Sequence, residues 1–244
     1  MKKIVLSTVL TALIIAGSLI SVNAQDAASI IKKLDEVMYA PKDMQATNTI
    51  VLIDKNGKQE SREATVIQKG TDKRLMRFTS PASQKGIAVL ALPDNVMYLY
   101  LPAFGKERRI SSSVKNQGFA GTDFSYDDME PKPFAEKFSS KLIKQEGTAY
   151  VMELTPKSQS DYSKIIARIN KTNYYPESMD FYDKGNNKVK TSKYTFKKVG
   201  KYWNATEIEM TDLKKNHTTK MQMADVKYDT GLTDDDFTVR KLKQ

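Results

Sequence analysis

The chain has no cysteine among its 244 residues. That absence removes thiol nucleophiles and thiolate metal sites together. It also means that no disulfide can hold the fold, so an ordinary apolar core must do so. Histidine is nearly missing too, with His217 the single example. Zinc sites built from several histidines are excluded, and any Ser-His-Asp relay would have to use His217. That residue sits in Lys-Lys-Asn-His-Thr (214–218), which reads as an exposed turn with nothing nearby that resembles a nucleophile elbow. The run Asp234-Asp235-Asp236 lacks the alternating ligands and the glycine of a calcium loop, so it reads as a solvated turn near the C-terminus. The sequence also shows no low-complexity tract and no linker, and nothing marks a second domain. No metal or cofactor is expected.

What is present begins with an export signal. Lys2 and Lys3 supply a charged start, Ile4 to Ile20 an apolar run, and Val22-Asn23-Ala24 a small-residue cleavage site. A membrane anchor is the weaker reading. Thr8, Thr11, Gly17 and Ser18 dilute the run, and the first charge after it is Asp26 rather than a basic stop-transfer cluster. The expected organisation is therefore a signal peptide at 1–24, cleaved after Ala24, and one exported domain at 25–244. The formal charge is +10, or +8 without Lys2 and Lys3. In an exported protein such an excess points to anionic head groups or envelope polymers rather than nucleic acid, and simple solubility explains it equally well.

Asp26 to Ala40 reads as an amphipathic helix. Ile30, Ile31, Leu34, Val37 and Met38 form one stripe, and Pro41 ends it. From Gln45 onward the apolar period is two. Strands are expected at 46–54, 60–68, 73–79, 86–92, 96–101, 138–146, 149–155, 162–170, 177–183, 189–198, 203–212 and 218–228. Turn residues such as Asn56-Gly57, Pro93-Asp94-Asn95 and Gly147 separate them. Short loops make neighbours antiparallel. In 218–228, Met221 and Met223 share a parity that Val226 and Tyr228 break, which predicts a β-bulge between Met223 and Val226. A twisted sheet of so many strands curls. The fold class is mainly β with α: one strongly curved antiparallel sheet, an incomplete barrel, covered by the N-terminal helix and a lid loop from the strand-free gap at 102–136.

The stretch Asp94 to Met129 is the densest in chemistry. Its strand has two apolar or aromatic faces, Met97, Leu99 and Leu101 against Tyr98 and Tyr100. A basic cluster, Lys106, Arg108 and Arg109, then precedes an acidic one, Asp123, Asp127, Asp128 and Glu130. The arginines either pair with these carboxylates and pin the loop, the preferred reading, or meet a phosphate head group or an acidic partner. A glycosidase-like carboxylate pair within the acidic cluster is a weak alternative, because such pairs arise easily by chance on one short loop. A concave apolar surface under a helix and a loop suits a hydrophobic ligand, with acyl chains the natural class. The candidate ligand-binding residues of cavity and lid are Ile31, Leu34, Met38, Met97, Tyr98, Tyr100, Phe104, Arg108, Arg109, Phe119, Phe124, Tyr126 and Met129. For any single aromatic among them, ordinary core packing is the competing explanation.

Phe78-Thr-Ser-Pro81, Lys85-Gly86, Met97-Tyr-Leu-Tyr-Leu-Pro-Ala103, Gly105-Lys106, Arg108-Arg-Ile-Ser-Ser-Ser113 and Gly121-Thr-Asp-Phe-Ser-Tyr-Asp-Asp-Met129 occur in this order. Together they resemble the outer-membrane lipoprotein-sorting protein family, the LolA-like periplasmic carriers. The resemblance implies a half-barrel closed by helices around a hydrophobic cavity that holds lipid or the acyl chains of a lipoprotein, and no catalysed reaction. The partners it implies are lipid or lipoprotein, with an inner-membrane transporter or an outer-membrane acceptor as docking candidates. A monomer with peripheral membrane contact and no nucleic acid is expected. A module that docks to such a transporter or sensor without cargo is the alternative function.

Overall fold

The computed structural model describes residues 19–244. The charged start and most of the apolar run of the expected export signal lie at 1–18, outside the described residues. The first element is α1 (Leu19–Met38). Its buried face is Ala27, Ile30, Ile31 and Leu34, while Lys32, Lys33 and Glu36 face solvent. The helix ends ahead of Pro41, whose ring disfavours helical backbone at the residue before it. No helix among the described residues is long and apolar enough to cross a membrane.

Thirteen strands then form one antiparallel sheet. The first six are β1 (Asp43–Ile53), β2 (Gln59–Lys69), β3 (Lys73–Ser80), β4 (Ala88–Leu92), β5 (Val96–Leu101) and β6 (Lys106–Arg109). After a crossing segment at 110–137 come β7 (Phe138–Glu146), β8 (Ala149–Pro156), β9 (Tyr162–Asn170) and β10 (Pro176–Asp183). The last three are β11 (Lys188–Val199), β12 (Tyr202–Asp212) and β13 (His217–Tyr228). All twelve expected strands are present within a few residues of their expected bounds. The thirteenth, β6, lies inside the stretch read as irregular; its four charged residues Lys106-Glu-Arg-Arg109 give no alternation to detect. Local turn chemistry joins neighbours. Asp94 and Asn95, for example, both adopt positive φ (60° and 58°), the backbone a tight hairpin needs between β4 and β5.

The order across the sheet is β6-β5-β4-β3-β2-β1-β13-β12-β11-β10-β9-β8-β7. It is therefore two meanders joined where the first strand pairs with the last, Met44 opposite Tyr228 through Ile53 opposite Thr218. The two ends, β6 and β7, do not pair, and the sheet stays an open half-barrel. The expected bulge in β13 is there: Gln45 faces Lys227 while Thr47 faces Ala224, and the surplus residue Asp225 has φ of 53°. It returns Tyr228 to the side of Met223, where both line one cavity.

Because β6 and β7 are opposite edges, residues 110–137 must travel the width of the sheet, and they do so over its concave face. Phe119 stacks on Phe78 of β3 (5.7 Å between ring centroids), and Asp123 reaches Thr219 of β13. The main core lies between this segment, α1 and the concave side of the sheet. A second, smaller core lies on the convex side, where Phe237 and Leu242 from the C-terminal turns cover Leu75, Ala88 and Leu90. The acidic run 234–236 is thus not merely a solvated turn: it begins the segment that covers this patch, tied down by Asp234 to Lys69 and Lys73 (2.8 and 2.9 Å). Two stretches that carry the family resemblance also lie against each other. A side chain at Gly86 would meet the Pro102 ring at 2.9 Å.

Candidate functional site: a divided cavity beneath the crossing segment

The crossing segment is wired to the sheet by polar groups. Asp123 is buried and accepts hydrogen bonds from Thr219 Oγ1 (2.7 Å) and pairs with His217 Nδ1 (2.7 Å). Its carbonyl accepts from Lys190 Nζ (2.7 Å), and the Ala120 carbonyl accepts from Arg62. Farther on, Lys115 and Glu130 form a buried pair (2.9 Å) and Lys137 pairs with Asp127 (2.9 Å). Asp128 caps α2 (Tyr126–Met129) reciprocally with Ser125. Asp35 of α1 accepts from the amides of Phe134 and Ala135 (2.7 and 2.9 Å) at the start of α3 (Phe134–Lys137).

Two expectations are corrected by these contacts. Arg108 and Arg109 do not pin the segment: both are exposed on edge strand β6, where Arg108 lies over the Phe104 ring at 5.4 Å. The pinning cations are instead Arg62, Lys115, Lys137 and Lys190, drawn from several strands and from the segment itself, a set that no local charge pattern reveals. His217 is not in an exposed turn either. It opens β13 and is held by Asp123, with its side chain 22% exposed. The hydroxyl beside this pair, Thr219, donates to Asp123 rather than to the imidazole, so the trio clamps the segment. The four carboxylates that could have formed a hydrolytic pair are all engaged in the bonds given above.

Two cavities of about 220 and 120 Å³ lie beneath the segment, and a third of about 140 Å³ adjoins them below the end of α1, at Met38, Tyr39 and Pro41. Arg74 and Ile208 border all three. Met38 of α1 borders two, as do Met44 and Met223, and Phe124 and Met129 descend from the segment. The largest of these three opens between α3, the β8–β9 loop and the sheet, past Phe138, Pro156 and Tyr162. Methionine, isoleucine and phenylalanine form most of the wall of the smallest cavity and share the other two with polar and charged side chains, which suits a flexible ligand with an apolar part. The phenols in them carry no charge at neutral pH: burial pushes Tyr39, Tyr194 and Tyr228 each up to about 12.

Of the sequence-derived candidates, Met38, Phe124 and Met129 line these cavities. Ile31, Leu34, Met97 and Phe119 are fully packed core beside them, and Tyr126 stands edge-on to Phe119. Tyr98 and Tyr100 face the other way, against the convex core, because alternation along β5 sends them opposite to Met97 and Leu99. Phe104, 62% exposed, stands outside with Arg108 and Arg109. Sequence reasoning missed Arg74, Asn48 and Asn204. A signal existed for the first: Arg74, Met76 and Phe78 share a parity, so an arginine points to the same face as two core residues.

A family model described as "Uncharacterized protein" matches residues 70–244. No curated protein matches the chain. Among solved structures it is similar to a domain from Vibrio parahaemolyticus assigned to outer membrane lipoprotein sorting, at 27% identity and a TM-score of 0.85 over 91% of this chain and all of that one. A LolA superfamily protein from Nitrosomonas europaea matches at 25% identity and a TM-score of 0.75, over 90% of this chain and 99% of that one. A DUF1329 family protein from Desulfovibrio piger, at 24% identity and a TM-score of 0.85 over 90% and 99%, shares the fold.

Proposed function

We propose that this chain, whose fold is similar to those of a LolA superfamily protein and a lipoprotein-sorting domain, and whose cavities lie against a segment tied to the sheet by polar as well as apolar contacts, is a periplasmic carrier for lipid or lipoprotein acyl chains. The observation that carries this reading is the group of three adjoining cavities walled by Met38, Met44, Ile208, Met223 and Phe124. A core free to pack to native density would fill that space, since unfilled apolar volume destabilises a fold. Each CH₂ moved into it from water would contribute about 0.8 kcal/mol. Binding, not catalysis, is the work such walls can do. The domain is the whole of 25–244, exported behind the signal at 1–24, and the ligand site is Met38, Phe124 and Met129 together with the strand residues around Ile208.

The test is native mass spectrometry of the protein purified gently from its own periplasm, followed by solvent extraction. Co-purifying lipid, or uptake of a fluorescent fatty acid by the stripped protein, is the expected result. Protein that emerges empty and takes up no acyl chain would sink the carrier reading.

A further inference from the structure

The three cavities meet at a charge. Arg74 borders each of them, yet its hydrogen bonds go to neutral oxygens: Gln68 Oε1 (3.0 Å from Nε, 2.6 Å from Nη2) and the Met129 carbonyl (3.1 Å from Nη1). The acidic side chains in the same walls are committed elsewhere. Asp127 pairs with Lys137 and Glu130 with Lys115; Asp128 caps α2. Asp43 accepts from Thr230, Gly231 and Leu232, and Asp161 stands exposed at the rim. Burial depresses the Arg74 guanidinium from its ordinary value, and the ionisable neighbour that opposes this is the Tyr39 phenol, not a carboxylate. A cation in an apolar wall without a counter-charge is unfavourable. Each terminal nitrogen, having made one bond, keeps a second N–H to offer.

Two unspent polar groups share cavity walls with it, and one of them is a donor. Asn204 is 4% exposed and borders the 140 Å³ cavity; its Oδ1 accepts from Tyr228, but its Nδ2 has no partner among the described residues. Asn48 is 6% exposed in the 120 Å³ cavity, and its Oδ1 is likewise unpartnered. Buried amides are normally satisfied; the unspent Asn204 Nδ2 is a donor that suits an oxyanion, whereas the unspent Asn48 Oδ1 is an acceptor that suits a hydroxyl or a water. Apolar wall on either side marks a place for a tail.

We propose that the cavities form one site for an amphiphile with a single acyl chain and an anionic head, carboxylate or phosphate, whose head lies against Arg74 while its chain runs along Met38, Ile208 and Phe124. This rests on the carrier reading and narrows it: the head group is recognised by charge and the chain by shape tolerance. A guanidinium suits either oxyanion, offering two parallel N–H groups to two oxygens.

The test uses the full chain stripped of lipid and four probes at pH 8: oleate, oleoyl lysophosphatidate, oleyl alcohol and inorganic phosphate. The expected result is that at least one anionic amphiphile binds about tenfold or more tighter than the alcohol, the scale of one charge-assisted hydrogen bond, and that phosphate alone does not compete. Which of the two binds tighter identifies the head. Arg74→Gln should bring anion binding down to that of the alcohol and so erase the preference, whereas Arg74→Lys should keep part of it. Equal binding of alcohol and anions overturns the head-group assignment and leaves the carrier reading intact. Competition by inorganic phosphate reduces the site to a free-anion site and overturns the amphiphile. Loss of alcohol binding in Arg74→Gln makes the arginine structural and overturns its role. Binding of none of the lipids overturns the carrier reading itself. The wild-type comparison decides the matter even where a variant does not fold.

Discussion

Strands β3 to β5 are covered on both faces by chain from outside their meander, and the two covers differ in their balance of apolar plugs and polar ties and in the space they leave beneath. On the convex side the C-terminal turns drive Phe237 and Leu242 into Leu75, Ala88 and Leu90, and neither residue borders any of the cavities described above. On the concave side the crossing segment is held by a buried Asp123–His217–Thr219 cluster, the Lys115–Glu130 pair and cations donating to its carbonyls, with cavities left beneath. Apolar plugs gain stability in proportion to the area they bury and lose it when a void is left. Polar ties fix position at modest net gain and can exchange with water. The difference separates a cover that only stabilises from one that can enclose a ligand.

The largest effect should come from the apolar cover. Phe237→Ala is expected to cost about 3–5 kcal/mol in chemical denaturation, the range for truncating a buried phenylalanine, without altering lipid uptake. If uptake fell in step with stability, the two covers would be one cooperative unit and the distinction would fail. The polar cover should respond less in stability and more in access. Asp123→Asn weakens the tie to His217, and a loss of about 1.5–3 kcal/mol is expected. Amide exchange should rise selectively over 110–137 and lipid exchange should quicken. A uniform rise over the whole sheet would mean that Asp123 supports the core rather than the cover.

The smallest effect sharpens the comparison by pH. Hydrogen bonds from Lys69 and Lys73 hold the Asp234 carboxyl at about 2, below its ordinary 3.8. A depressed carboxyl stabilises the fold fully above the unfolded value and loses that contribution as pH falls through the folded one, so the C-terminal cover should loosen between about pH 4 and 2. Asp234→Asn should remove this part of the acid dependence. An unchanged acid profile would mean that the exposed carboxylate contributes nothing measurable to holding the cover.

Much of the fold was legible because strand alternation and turn residues are local. The parity break between Met223 and Val226 even located the bulge at Asp225, since a side-chain period of two leaves no other way to keep one face buried. The site was less legible. Tyr98 and Tyr100 looked like cavity lining because the sequence shows that both faces of β5 are apolar without showing what each face meets. Sequence proximity favours Arg108 and Arg109 as the ties of the crossing segment, whereas two of the groups that hold it to the sheet, Lys190 and His217, are more than 60 residues from their partner Asp123. Arg74 was legible only as an arginine on the face of Met76 and Phe78, because strand parity does not show that this face borders empty space.

The sequence by itself determined which segments are strands, where they turn and bulge, that a helix with one apolar stripe must lie against something, and that the core must hold without disulfides. Each follows from steric and hydrophobic rules acting over a few residues. Only the tertiary structure decided that β1 pairs with β13. That pairing puts β6 and β7 at opposite edges and so sends residues 110–137 across the concave face. It also decided that Arg74 stands where three cavities meet without a carboxylate beside it. Such facts depend on which distant segments share one volume, and burial, counter-charge and empty space have no value until that volume is enclosed.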